Sequence, residues 1–166
     1  MREILFRGKR TDNGEWIYGY VNQHRGESIL DCMCEQINSD DFYIYDYAAK
    51  IDTGIYGLLY KIIPETVGQY TGLTDKNGVK IFEGDILRGF EYPFCSNING
   101  EFNYFAEVVW FDDSSAFGIY TFKNPKSNVR GISEGNTDYL EYFNADKWEV
   151  IGNIHDNPEI LKTPSP

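Results

Sequence analysis

Residues 69–87 decide the fold of this chain, and they read Gln-Tyr-Thr-Gly-Leu-Thr-Asp-Lys-Asn-Gly-Val-Lys-Ile-Phe-Glu-Gly-Asp-Ile-Leu. Asn77-Gly78 lies between two runs that contain apolar residues, and this dipeptide is the strongest short-range signal for a β-hairpin. Both residues tolerate the positive φ of a type I′ turn, so we predict that turn here. Residues 81–87 then predict a strand, a tight turn and a second strand, which is typical of a corner in a small β-barrel. We predict a structural role for Asp85, with its carboxylate capping backbone N–H groups at this corner.

Similar patterns predict strands along most of the chain. Asp12-Asn13-Gly14 separates strands at residues 4–8 and 16–21, which form a first hairpin. Residues 102–111 alternate as a long strand, and residues 117–122 return antiparallel after a turn at residues 112–115. Residues 42–47, 56–63 and 148–154 are further predicted strands. The exception is residues 137–144, where Thr137 as N-cap and the spacing of Tyr139, Tyr142 and Phe143 predict one short helix.

The second strand of the first hairpin has two apolar faces. Trp16, Tyr18 and Tyr20 share one face, and Ile17 and Val21 share the other, because side chains alternate along a strand. Such a strand is either buried on both sides or keeps one side for a partner, and the sequence leaves both alternatives open.

Three motifs resemble the YopX family, in that family's order. The core motif is formed by Val67–Leu73, Asp75–Gly78 and Ile81–Ile86; Glu149–Leu161 resembles the closing motif, and Ile4–Gly8 with Gly14–Tyr20 resembles the N-terminal segment. The resemblance implies a bacteriophage or prophage protein with an all-β fold and an SH3-like barrel in its C-terminal part. It implies no activity.

We therefore expect two packed parts, with the boundary at Pro64. Residues 1–64 form an N-terminal β segment, and residues 65–166 form the SH3-like barrel domain. Pro64 favours this boundary because it ends an apolar run and biases the preceding residue towards extended geometry. No Gly/Ser-rich linker separates the two parts.

Composition limits the classes of partner. The formal net charge is −11, and 8 basic and 16 acidic residues follow from Glu65 onward, against 7 and 10 before it. A surface of this sign repels phosphate backbones, so nucleic acid is an unfavoured partner; the charge suits either solubility or contact with a basic host protein. The sequence lacks a membrane-length apolar segment and a signal-peptide core, and its odd number of cysteines suits a reducing compartment. We expect a protein in the cytoplasm of a bacterial host cell, with no membrane partner.

The sequence offers few groups for catalysis or metal binding. The histidines are His24 and His155, and each lies in a predicted turn or loop. Cys32, Cys34 and Cys95 lack the usual spacing of zinc ligands. The glycines form no phosphate-binding loop. We predict no catalytic residue, no metal site and no cofactor.

Two aromatic clusters are candidate binding sites. The first, a candidate protein interface around an irregular loop, comprises Tyr92, Phe94, Phe102, Tyr104 and Phe105. The second, an alternative nucleic-acid patch, comprises Tyr120, Lys123, Lys126 and Arg130. The expected function is a phage-type, non-enzymatic protein-binding or assembly module, whose partner is a host protein, a phage protein or a second copy in a homo-oligomer. The alternative is a nucleic-acid-binding SH3-like barrel protein.

Overall fold

The computed structural model describes residues 3–23, 41–46, 58–89, 104–123, 137–139 and 147–161. The chain divides into two compact units, residues 1–70 and residues 71–166. The described ranges consist mainly of antiparallel strands, with a 3₁₀ turn at Pro64–Thr66, which confirms the predicted all-β class. The strands are β1 (Phe6–Lys9), β2 (Trp16–Gln23), β3 (Phe42–Asp46), β4 (Leu58–Ile62), β5 (Gly68–Thr74), β6 (Lys80–Phe82), β7 (Asp85–Gly89), β8 (Tyr104–Phe111), β9 (Ala116–Lys123), β10 (Thr137–Tyr139) and β11 (Trp148–Asn153).

The first unit is a sheet in which hairpin neighbours are also spatial neighbours. Its strand order is β4-β3-β2-β1-β5, and β1 lies between β2 and the start of β5. The end of β4 also meets the end of β1, since the Ile63 N–H donates to the Lys9 carbonyl (2.8 Å) and the Thr11 N–H donates to the Lys61 carbonyl (3.1 Å). These bonds hold β1 along both of its edges.

One face of this sheet is the core of the first unit. Ile44 and Ile62 are almost fully buried there, and two glycines let the strands approach them. A Cβ on Gly8 would lie 2.9 Å from Ile62 Cδ1, and a Cβ on Gly19 would lie 2.2 Å from the Tyr45 carbonyl oxygen. Side chains at these two positions would push the strands apart, so the inner face depends on both glycines.

The second unit contains a five-stranded sheet with the order β10-β9-β8-β7-β11, and the last residues of β5 lie beside β6. Alternation along β8 was predicted from the sequence and is confirmed, because Ala106 and Val108 are fully buried. Seven buried side chains form the core: Ile81, Leu87, Ala106, Val108, Phe117, Ile119 and Trp148. The strand order of this sheet is open among the residues that the structure describes, so the SH3-like barrel stays a prediction.

The hairpin after β5 forms where predicted, but with a different turn. The Gly78 N–H donates to the Asp75 carbonyl (2.9 Å), and the Asp75 N–H donates to the Val79 carbonyl (2.8 Å). Gly78 has a φ of +81°, in the left-handed region. Asn77 does not adopt this conformation, because Ser115 is the one described non-glycine residue with a positive φ. This is a three-residue loop with a left-handed glycine, and the predicted type I′ turn is wrong.

Asp75 is the physical reason for this turn. Its Oδ1 accepts hydrogen bonds from the N–H groups of Asn77 (2.7 Å) and Val79 (2.9 Å), and its Oδ2 accepts one from Val150 in β11 (3.0 Å). Burial alone would raise the pKa of Asp75, but the N–H groups of Val150, Val79 and Asn77 outweigh it and hold the pKa below its ordinary value. The carboxylate therefore ties the hairpin to a strand that lies far along the sequence.

The corner between β6 and β7 has the predicted form. The Phe82 N–H donates to Asp85 Oδ2 (2.7 Å), and Asp85 is almost fully buried. Gly84 takes a φ of +76° in the turn, where its N–H donates to the Val108 carbonyl (2.8 Å). The capping role predicted for Asp85 is confirmed.

The helix predicted for residues 137–144 is wrong for its first three residues. Thr137–Tyr139 is strand β10, and it pairs antiparallel with Gly118, Ile119 and Tyr120 of β9. The open edge of β9 offers these residues backbone partners, and threonine and tyrosine suit a strand. Residues 140–144 lie outside the described residues.

Candidate functional site

The predicted protein interface lies mostly outside the described residues. This holds for Tyr92, Phe94 and Phe102, while Tyr104 is the first residue of β8. Phe105 is half-buried, and its ring lies 6.3 Å from that of Phe122. This interface stays a prediction, because three of its five residues lie outside the described residues.

The alternative nucleic-acid patch has one well-described side chain. Tyr120 is 41% exposed on β9, and Lys123 is the last residue of that strand. Lys126 and Arg130 lie outside the described residues. Directly opposite Tyr120 stands Glu107, whose pKa is raised by burial and by the nearby charge of Glu83. The described surroundings of Tyr120 are therefore acidic, which disfavours a phosphate ligand.

A different aromatic surface is visible on the outer face of the first unit. Residues that pair directly across antiparallel strands point to the same face of a sheet. The register pairs Arg7 with Tyr18, Lys9 with Trp16, and Tyr20 with Tyr45. On β4, Leu59 and Lys61 share this side, because they pair with Tyr45 and Tyr43. We call the following set the aromatic face: Arg7, Lys9, Trp16, Tyr18, Tyr20, Tyr45 and Lys61.

Two consecutive outward positions of β2 expose tyrosine side chains. Tyr18 is 47% exposed and Tyr20 is 50% exposed. Their spacing is two residues, which places their Cα atoms about 7 Å apart along the strand. Large aromatic side chains of this exposure are contact surface that the core does not use. Of the two alternatives that the sequence left open for β2, burial on both sides does not fit the exposure of Tyr18 and Tyr20.

Trp16 is held beside these tyrosines by two cations. The Arg7 Cζ lies 4.8 Å and the Lys9 Nζ lies 5.5 Å from the centroid of its ring. A cation at this distance is attracted by the ring quadrupole, so both contacts help to fix the indole. The aromatic face consequently has an anchored ring at one end and two more exposed rings beyond it.

Strand β4 adds another cation to the aromatic face. The Lys61 Nζ lies 2.7 Å from Asp41 Oδ2, and the hydrogen bond that Lys61 donates to Asp41 raises the pKa of Lys61. The charge of Lys61 is therefore matched by Asp41, which directly precedes β3. Arg7 is 7% exposed, so its cation lies mostly below the surface of the face.

Of the histidines and cysteines, His155 lies within the described residues. His155 is half-buried in the turn after β11, and its backbone N–H donates to Asn153 Oδ1 (3.0 Å). His24, Cys32, Cys34 and Cys95 lie outside the described residues. Within the described ranges, no group of three or more metal-binding side chains is found. The same ranges contain no helix with the length and apolarity of a membrane span.

These observations define an all-β protein with an exposed aromatic sheet face. The sequence model of the YopX family, described as YopX protein, matches residues 5–162, so this chain belongs to the YopX family. No curated protein matches the sequence. Among solved structures, the chain is similar to the crystal structure of protein EF1440 from Enterococcus faecalis, at 22% identity and a TM-score of 0.45, over 98% of this chain and 100% of that one.

Proposed function

We propose that this protein is a non-enzymatic binding module whose aromatic face docks onto another protein. The observation that carries the proposal is the pair of half-exposed tyrosines, Tyr18 and Tyr20, in line with Trp16 on one strand. Side chains of this kind belong inside a protein or inside an interface, and the core of this unit lies on the other side of the sheet.

The residue types of the face support a protein partner. Tyrosine, tryptophan and arginine are the residues that most often dominate the energy of protein interfaces. Tyrosine offers a large rigid ring and a hydroxyl at a small cost in side-chain entropy. The aromatic face has two exposed tyrosines and a tryptophan on one strand, whereas Arg7 is 7% exposed and contacts the Trp16 ring.

Three carboxylates in the described part of the second unit support a non-enzymatic role, since they act as structural links. Asp75 and Asp85 accept backbone hydrogen bonds, and Glu149 forms ion pairs with Lys76 and Arg88. A carboxylate committed in this way is not poised to transfer a proton.

The setting of the protein is also a proposal. Membership of the YopX family and the resemblance to its motifs support a phage or prophage protein that acts in the cytoplasm of a bacterial host. Its partner is then a host protein, a phage protein or a second copy of this chain.

Truncation of the exposed tyrosines tests the role of the aromatic face. We expect the double variant Tyr18→Ala/Tyr20→Ala to lose its partner in a pull-down from nuclease-treated bacterial lysate, because the contact surface is removed while the buried face is untouched. Quantitative mass spectrometry measures partner recovery. The matched control is Tyr120→Ala, which removes a tyrosine of similar exposure from the second unit.

Three results would contradict the proposal. Full recovery of the partner by the double variant would exclude the aromatic face as the docking site. Equal losses with the double variant and with Tyr120→Ala would point to nonspecific capture. Capture that depends on intact nucleic acid would favour the nucleic-acid alternative.

A further inference from the structure

We propose that Asn77 is a site of spontaneous deamidation, and that this modification weakens the contact between its hairpin and β11. The sequence contains three Asn-Gly dipeptides, at residues 13–14, 77–78 and 99–100. The first two lie in exposed hairpin loops, and the third lies outside the described residues. Neither step involves the aromatic face, so the proposal goes beyond the proposed function and does not depend on it.

Asparagine followed by glycine undergoes a reaction that needs only water. The backbone nitrogen of the glycine loses its proton to solvent and attacks the Cγ atom of the asparagine side chain. The new C–N bond closes a succinimide ring, the bond between Cγ and Nδ2 breaks, and the nitrogen leaves as ammonia after taking up a proton. Water then opens the ring at either carbonyl and gives aspartate or isoaspartate, with no oxidation or reduction.

Both described Asn-Gly loops leave room for this attack. All four residues are exposed, and a Cβ on either Gly14 or Gly78 would have no atom within 4 Å. Glycine also leaves its backbone nitrogen without a neighbouring side chain. In each loop the glycine N–H donates to one backbone carbonyl, at 3.1 Å for Gly14 and at 2.9 Å for Gly78. That bond must open in both loops, so it does not decide between them.

The two asparagine side chains are held differently. The Asn13 Oδ1 accepts a hydrogen bond from the backbone N–H of Glu15 (3.0 Å), and the Asn13 Nδ2 donates to Glu15 Oε2 (2.8 Å). The Asn13 amide must leave both partners before it can turn towards the Gly14 nitrogen. Asn77 is held through its backbone N–H, which donates to Asp75 Oδ1 (2.7 Å), and its side-chain amide interacts with Asp75 more weakly than that N–H does. The Cγ atom of Asn77 is therefore easier to reach.

Deamidation at Asn77 changes the loop that positions Asp75. The Asp75 Oδ1 accepts from the N–H groups of Asn77 and Val79, and its Oδ2 accepts from the Val150 N–H (3.0 Å). Either product adds a negative charge two residues from this buried carboxylate, and like charges oppose each other. Isoaspartate also inserts the Cβ of residue 77 into the main chain. Both changes weaken the hydrogen bonds that tie the hairpin to β11.

The first test compares the two asparagines in the same molecule. The full chain is incubated in isotopically labelled water at mildly alkaline pH, and peptide mapping by mass spectrometry measures label uptake at Asn13 and Asn77. We expect Asn77 to react about tenfold faster, the factor that corresponds to the release of two exposed hydrogen bonds by Asn13. In Glu15→Ala the rate at Asn13 should rise about threefold, because one of its two partners is removed, while the rate at Asn77 stays the same.

The second test measures the contact with β11. Ion-exchange chromatography separates the more acidic product, peptide mapping identifies the fraction modified at residue 77, and NMR measures hydrogen exchange at the Val150 N–H. We expect exchange about tenfold faster than in unaged protein, because a hydrogen bond to a charged group is weakened. The control is Asn77→Gln aged in the same way, since a glutamine side chain closes the ring far more slowly. Its exchange at Val150 should not change.

Several results would overturn the proposal. Equal rates at the two asparagines, or a faster reaction at Asn13, would exclude Asn77 as the preferred site. An Asn13 rate that is unchanged in Glu15→Ala would show that side-chain hydrogen bonds do not control the reaction. Equal exchange at Val150 in the product and in unaged protein would exclude the effect on β11, as would the same acceleration in aged Asn77→Gln.

Discussion

At the scale of single residues, buried carboxylates organise the second unit. Asp75 and Asp85 both accept hydrogen bonds from backbone N–H groups. Both residues are buried, with exposed fractions of 5% and 1%. The role of Asp85 could be predicted, because its partner lies three residues away in the same corner. The role of Asp75 could not be predicted, because its hydrogen bond with Val150 spans 75 residues and no local sequence pattern indicates it.

Replacement of Asp75 by asparagine tests this role. We expect Asp75→Asn to lower the free energy of unfolding by about 1–3 kcal/mol, since an amide NH₂ would replace one of two accepting oxygens and face a backbone N–H. Urea unfolding measures the change. The matched control is Asp113→Asn, at an exposed turn position where the carboxylate accepts only from Ser114 Oγ in the described structure (2.7 Å).

The same variant should lose part of the acid sensitivity of the wild type. The pKa of Asp75 is lower in the folded protein than in the unfolded chain, so its stabilising effect is complete above the unfolded pKa of about 4 and is lost as the pH falls through the folded value. Between about pH 5 and pH 2, wild-type stability should therefore fall more steeply than that of Asp75→Asn. Parallel pH dependences in the two proteins would contradict the assignment.

At the scale of elements, alternation and turn chemistry were sufficient to find most of the described strands. The hairpins at Gly14 and Gly78 form because each glycine takes a positive φ, of +73° and +81°. The helix predicted for residues 137–144 failed because a spacing of i, i+3 and i+4 over eight residues is weak evidence, and pairing with β9 is a tertiary effect. Aromatic alternation on β2 indicated the candidate site, but its cations depend on the register between β1 and β2, which only the structure supplies.

Two glycines of different kinds allow the strand packing to be tested. We expect Gly19→Ala to lower the free energy of unfolding by about 1–3 kcal/mol, because the new Cβ would overlap the Tyr45 carbonyl oxygen on β3. In Gly78→Ala the new Cβ would have no atom within 4 Å. We expect this variant to lose only about 1 kcal/mol of unfolding free energy, from the backbone strain of a left-handed residue. Denaturant unfolding compares the two variants. A larger effect at Gly78 than at Gly19 would show that strand separation at β2 and β3 is easily relaxed.

At the scale of the whole molecule, charge sets the response to solution conditions. A net charge of −11 on a chain of 166 residues opposes compaction, because like charges are closer in the folded state than in the unfolded one. Added salt screens this repulsion. We expect the Tm to rise between low and physiological ionic strength, as measured by differential scanning calorimetry in sodium chloride. A Tm that falls over this range would show that favourable ion pairs, such as Glu149 with Arg88 and Lys76, outweigh the net repulsion.

The bonds between the first hairpin of the second unit and β11 also limit how this chain acquires its structure. The Val150 N–H completes the environment of Asp75, and the Trp148 carbonyl accepts from the Lys76 N–H (3.0 Å). During synthesis on the ribosome, the residues around Asp75 emerge long before either partner exists. Contacts of such high sequence separation form late and slow folding. We therefore expect the carboxylate of Asp75 to stay hydrated, and its contact with β11 to form only after residue 150 has left the ribosomal exit tunnel.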